Sequence, residues 1–225
     1  MAVRTGYDSE MARVRQVIAG MGGKALVSVR SAIDALVLND PALADLSRQY
    51  EKEIDLLYQT MDEELIRTIA TQQPLASDLR FIVSSLKIAS EVERIADYGN
   101  NIAKIVQKKL ALLDPAPVRQ VAATVAEMAQ LALAMLADAI KAYEDNDADL
   151  ATEVIRRDAD VNALNKALFR VLAETACADV KAQETILQVH TAIRYIERVA
   201  DRSTNVAEWV FYSVTGYRFK EKSKL

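Results

Sequence analysis

Oxygen donors recur at a spacing of four in this sequence, twice in the same setting. Glu93, Asp97 and Asn101 stand in the segment Glu93-Arg94-Ile95-Ala96-Asp97, and Glu197, Asp201 and Asn205 stand in Glu197-Arg198-Val199-Ala200-Asp201. Residues four apart on a helix drift by only ~40° per step, so each trio shares one face. An earlier pair precedes each trio: Glu51 and Asp55 before the first, Asp158 and Asn162 before the second. Carboxylates at this spacing repel and oppose helix formation unless a cation offsets them. Oxygen donors in such numbers suit hard or borderline metal ions, and pairs on neighbouring helices could bridge several of them. The competing reading is a solvated acidic face with Arg94 and Arg198 as local ion-pair partners. Spacing alone leaves both open.

The elements that would position these residues are helices. Six Gly and four Pro in 225 residues, against 36 Ala, leave few breakers in a chain rich in the best helix former. Apolar residues recur at helical spacing in six segments: 9–38, 40–71, 74–113, 118–144, 148–174 and 179–216. Asp40-Pro41 reads as an N-cap followed by Pro at the first helical position, and Gln73-Pro74 as a helix end. Gly22-Gly23 is a soft spot in the first helix. Ile88, Val92, Ile95, Gly99, Ile102 and Val106 form the apolar seam of the third, and Ile196, Val199, Val206 and Val210 that of the sixth. The second is expected to bury Leu43, Leu46, Tyr50, Ile54 and Leu57, and the fifth Leu150, Val154, Val161, Leu164 and Leu168. The fold class is all-α.

The two halves repeat each other. Residues 93–103 line up with 197–207 at an offset of 104; 35–44 with 142–151 and 51–55 with 158–162 line up at 107. The order is kept, and the three-residue difference falls at the Gln73-Pro74 turn. This predicts tandem antiparallel three-helix bundles over 1–113 and 118–225, joined by the linker 114–117.

Charge and composition exclude several functions. Lys+Arg 28 against Asp+Glu 32 gives a net charge of -4, so no global positive field attracts nucleic acid. The stretches free of charged residues reach only ten residues, short of a spanning helix. One cysteine, Cys177, favours a reducing compartment and reads as a small buried residue. The chain is expected to be cytoplasmic and to meet membranes only through partners. No nucleophile elbow, phosphate loop or zinc spacing occurs. A metal oxidase in a four-helix bundle needs two Glu-x-x-His motifs, whereas the single His190 follows Leu187 at that spacing. Trp209, Phe211 and Tyr212 read as packing residues, and Arg218, Lys220, Lys222 and Lys224 as a short basic tail.

The doubled motif, the preceding [DE]-x-x-[IV]-[DN] segments and Pro74-Leu75-Ala76-Ser77-Asp78-Leu79-Arg80 together resemble the PhoU family, regulators accessory to phosphate-specific transport. The resemblance covers essentially the whole chain. It implies two three-helix bundles related by pseudo-twofold symmetry and a role without catalysis. It further implies repression of the phosphate-starvation response, linking the ATPase subunit of a phosphate ABC transporter to a sensor histidine kinase, with the chain acting as a homodimer. Some members bind metal clusters of iron or zinc. Carried onto this chain, the metal candidates are Glu51, Asp55, Glu93 and Asp97, then Asp158, Glu197 and Asp201, with Asn101, Asn162 and Asn205 as supplementary donors. Asn162 departs from the pattern, since a carboxylate would ligate better there, and this weakens the second site. Asp78 and Arg80 have no counterpart in the other half and are expected on the partner surface; the alternative gives Asp78 a capping role and Arg80 an acidic neighbour. Two other roles fit the sequence: a metal-free helical adaptor, and a regulator of a different phosphate transporter.

Overall fold

The computed structural model describes residues 2–219, with side chains from Ser9 onward. Among the described residues it is built from six α-helices and no strand: α1 (Ala2–Leu38), α2 (Ala44–Gln72), α3 (Ala76–Lys108), α4 (Ala116–Asp145), α5 (Ala148–Ala178) and α6 (Gln183–Thr215). Single turns of 3-10 helix at Pro41–Leu43, Leu110–Leu112 and Val180–Ala182 sit in the connections. Lys220, Lys222 and Lys224 of the basic tail lie outside the described residues.

The shared Asn-Asp pair makes the same corner in both halves. Asn39 and Asn146 each have φ 53°, the left-handed conformation that ends a helix. Asp40 then accepts a hydrogen bond from the Ala42 amide, and Asp147 accepts from those of Asp149 and Leu150, starting the next helix. Gln73, also left-handed at φ 46°, ends α2. The third helix has no side-chain cap: its N-cap is Leu75, and Asp78 lies within the first turn. Capping is therefore not what Asp78 does.

Within each half the three helices pack on one another, and the halves share one continuous core through α1 against α4 and α3 against α6. The seams read for α3 and α6 are buried. Those read for α2 and α5 hold in part: Ile54 of α2 and Val154, Val161 and Leu168 of α5 are buried. Leu43, in the turn before α2, and Leu46 are 37% and 40% exposed, and Ala44 and Ser47 are buried in their place. Small residues are needed there. Ser28 Oγ on α1 donates to the Ser47 carbonyl (3.1 Å) and meets Ser47 Oγ at 3.0 Å. A Cβ on Gly99 of α3 would lie 3.0 Å from Ser28 Oγ and 3.2 Å from Ser47 Oγ. Three helices meet too closely at this level for a leucine. In α5, likewise, Ala151 and Asn165 are buried, while Leu150 and Leu164 are only partly covered.

Gly22-Gly23 does not interrupt α1. A Cβ on Gly22 would come within 2.6 Å of Ile140 on α4, so this glycine lets the halves approach. The α3–α4 contact adds Ser85 Oγ and Tyr143 Oη at 2.7 Å, with the Tyr143 ring stacked on Phe81. Burial pushes the Tyr143 phenol up to about 12, so it remains neutral. Arg15 lies over both rings and donates to the Tyr143 carbonyl at the end of α4, where a cation suits the helix dipole. Among the described residues only α4 is apolar and long enough to cross a membrane by composition, and its apolar residues pack on α1, α5 and α6. Cys177 is exposed, contrary to the buried position expected for it, because it lies on the open side of the last turns of α5.

These contacts separate the glycines by function. Gly22→Ala is expected to cost about 1–3 kcal/mol by overpacking against Ile140, and Ile140→Val in the same chain should recover part of it. Gly23, where an added Cβ would meet nothing within 4 Å, should accept Ala neutrally or gain up to ~1 kcal/mol from helix propensity. Urea unfolding of these variants beside wild type measures both.

Candidate functional site: two acidic helix–helix grooves

The two acidic sets lie where α2 meets α3 and where α5 meets α6. Ser47 faces Gly99, and because the helices run antiparallel, Glu51 one turn further along α2 comes level with the 93–97 turn of α3. Glu51, Glu93, Asp97 and Asn101 are half-buried, and Asp55 is exposed. Burial raises the Glu93 carboxyl above its ordinary range; Asp97 raises it further, Arg94 opposes this, and Asp55 and Glu51 add to it from the neighbouring helix. Three carboxylates therefore act on Glu93, two of them from across the α2–α3 groove. Asp55 accepts a hydrogen bond from Gln59 (3.1 Å). Asn101 shares the α3 helix one turn beyond Asp97.

The second set is arranged differently. Burial and the nearby Asp201 raise the Asp158 carboxyl, and Asn162 counters this by donating to Asp158 Oδ2 at 2.7 Å. Glu197 is engaged elsewhere: Asn165 Nδ2 donates to its Oε1 (2.9 Å), and Arg194 Nη1 lies 2.5 Å from Oε2. Asp201 is exposed. Asn205 does not join this group. Its amide donates to Glu91 of α3 (3.3 Å), where Arg202 also pairs at 3.1 Å. Asn165 and Glu91 were missed in the sequence. Asn165 lies seven residues after Asp158 and hence on its face, a signal that was legible; Glu91 engages α6, which spacing along α3 does not reveal.

Neither arginine of the doubled motif makes an ion pair with a carboxylate among the described residues. Arg198 lies over the stacked rings of Tyr98 and Tyr195, 5.9 and 5.8 Å from their centres. The local ion-pair reading thus fails for Arg198, while Arg94 acts on Glu93 only at longer range. Among the described residues no three carboxylate, imidazole or thiol groups are already gathered to hold a metal ion. The donor chemistry of the first set fits a hard or borderline cation, and the raised Glu93 carboxyl, with Asp97, Asp55 and Glu51 acting on it, marks a charge excess that a cation would relieve. In the second set Asn162, Asn165 and Arg194 already do part of that work.

Arg80 is held within the fold. Its guanidinium lies against Gly216, the left-handed residue ending α6, so that a Cβ there would fall 2.6 Å from Nη1. This puts a cation at a helix C-terminus rather than beside an acidic neighbour. His190 packs on Phe169, with ring centres 5.4 Å apart. Burial lowers the basicity of its imidazole, Arg194 lowers it further, and Glu197 opposes both.

The fold and site define a class: duplicated six-helix proteins that carry one acidic helix–helix groove in each repeat. The PhoU domain family matches residues 18–106 and 125–210, one copy in each half. The chain belongs to the PhoU family. It is 30% identical over 220 residues to the phosphate-specific transport system accessory protein PhoU homolog of Zymomonas mobilis, covering 97% of this chain and 90% of that protein. It is 32% identical to the homolog of the same description from Rhizobium meliloti, covering 95% and 89%. Among solved structures it resembles the crystal structure of PhoU from Pseudomonas aeruginosa, with a TM-score of 0.87 at 31% identity over 94% of this chain and 100% of that one. The phosphate transport system regulatory protein PhoU from Streptococcus pneumoniae follows with a TM-score of 0.82 at 27% identity, covering 94% and 98%.

Because the Glu93 carboxyl is raised in the folded chain, ionised Glu93 opposes folding above that pKa, and the penalty fades as pH falls toward the ordinary carboxylate value. In chelator, Glu93→Gln should therefore stabilise the protein at pH 7 by about 0.2–0.5 kcal/mol for each repelling neighbour removed, with no gain near pH 4. Urea unfolding at both pH values tests this; a wild type more stable than the variant at pH 7 in chelator would contradict it.

Proposed function

We propose that this chain is a cytoplasmic negative regulator of the phosphate-starvation response. It couples a phosphate ABC transporter, through the ATPase subunit, to a sensor histidine kinase, and it works as a homodimer by occupying partner surfaces, without a catalytic step. The observation that carries this reading is the match of both halves to the PhoU domain, in a chain whose relatives are described as accessory to phosphate-specific transport. Of the two residues expected on the partner surface, Asp78 is the better candidate, because Arg80 already serves the end of α6.

The same proposal includes metal. Glu51, Asp55, Glu93 and Asp97 would hold it in the first half, with Asn101 adjacent; Asp158, Glu197 and Asp201, with Asn162, form a weaker set in the second. An iron or zinc ion, or a cluster of them, would supply positive charge between α2 and α3. What supports this is the raised Glu93 carboxyl, on which Asp97, Asp55 and Glu51 all act. The carboxylates' part is to bind, and in doing so to fix the α2–α3 spacing that their repulsion otherwise loosens.

Deleting the gene should raise alkaline phosphatase activity in phosphate-rich medium severalfold, and the wild-type gene should restore repression; a deletion strain that represses like its parent overturns the regulatory reading. Protein purified without chelator should contain metal, and Glu93→Gln with Asp97→Asn should remove most of it from the first half. Elemental analysis reads this directly, and unchanged content in the double variant overturns the metal assignment.

A further inference from the structure

Near the turn that joins them, α5 and α6 leave an open groove. Its wider part, about 450 Å³, is lined by Asn165, Lys166, Phe169, Arg170, His190 and Arg194. An apolar cleft of about 230 Å³ shares Phe169 and His190 with it and continues over Leu172, Ile186 and Leu187. Phe169 and Leu187 are 55% and 60% exposed, a large apolar area to leave in water. Asn165 is only 9% exposed; its amide nitrogen is spent on Glu197, but its Oδ1 is enclosed without a partner, as is His190 Nδ1. Lys166 and Arg170 make no ion pair among the described residues, in a chain whose net charge is -4. Cations, unmet hydrogen-bonding groups and an apolar cleft therefore meet in one place.

The duplication sharpens the point. At the 107-residue offset, Asp62 and Glu63 stand where Phe169 and Arg170 do, and at 104, Leu86 and Ser90 stand for His190 and Arg194. The first half is acidic at the corresponding position, so the basic, aromatic groove is a property of the second half alone and not of the shared fold.

We propose that this groove docks an acidic amphipathic helix of a partner protein, with its apolar stripe entering the cleft and its carboxylates meeting Lys166 and Arg170. The inference goes beyond the phosphate-regulator reading and does not depend on it, nor on any bound metal.

Two synthetic helical peptides of about 16 residues, ~24 Å long, test it: both carry the same Leu and Phe stripe, one flanked by Glu and the other by Lys. Fluorescence anisotropy with the full-length protein should show the Glu peptide binding at least ~10-fold more tightly than the Lys peptide. Lys166→Glu with Arg170→Glu should invert that preference, and Phe169→Ala should weaken binding of the Glu peptide roughly tenfold. All three residues are exposed, so circular dichroism of the variants should match wild type. A wild type that fails to bind the Glu peptide, or binds both peptides alike, overturns the proposal, as does a charge-reversed variant that keeps the acidic preference. A wild-type dimer in sedimentation that Phe169→Glu splits into monomers also overturns it, by assigning the groove to a second copy of this chain.

Discussion

The structure depends on helices that are apolar on two faces. The third helix buries fourteen residues, including the doublets Ile88-Ala89, Ile95-Ala96, Ile102-Ala103 and Ile105-Val106, whereas α2 buries six. A three-helix unit can cover only one of these faces. The other must be buried against the sister repeat, and each large aliphatic side chain so removed from water stabilises by about 1.5–3 kcal/mol. In this chain the second repeat covers that face. It also decides where the acidic residues lie. With α1, α3, α4 and α6 committed to the centre, α2 and α5 flank it, and their grooves with α3 and α6 open outward.

Across that centre the repeats differ where they touch. Tyr98 and Arg202 occupy equivalent positions, as do Glu91 and Tyr195. In the fold Tyr98 stacks on Tyr195 while Arg202 pairs with Glu91, with Tyr98 also supporting the Arg202 charge. Identical residues at these positions would have made the two contacts alike, either Tyr against Glu twice or Arg against Tyr twice. Divergence instead supplied a ring pair and an ion pair.

The grooves have diverged as well. In the first, Asp97, Asp55 and Glu51 act against the charge on Glu93, a tension that the fold tolerates because the groove is half open to water. In the second, Asn162 stands where the first has Asp55, Asn165 donates to Glu197 and Arg194 pairs with it. One repeat therefore keeps an excess of negative charge while the other resolves it internally and exposes a basic, aromatic groove nearby.

By itself the sequence determined the all-α class, the duplication and the N-cap at Asp40, because each follows from local spacing or turn chemistry. It also determined the seams of α3 and α6, whose apolar stripes are wide enough to tolerate an error of one position. In α2 and α5 spacing found Ile54, Val154, Val161 and Leu168, and the tertiary structure decided the rest. Spacing favours the bulky Leu43 and Leu46, but the close approach at Ser28, Ser47 and Gly99 admits only small side chains and turns the leucines outward. The same holds for Arg80 on the end of α6, Asn205 on Glu91 and Arg198 on two tyrosine rings. In each case the partner lies on a helix distant in the chain, and a long polar side chain reaches whichever neighbour the packing brings to it.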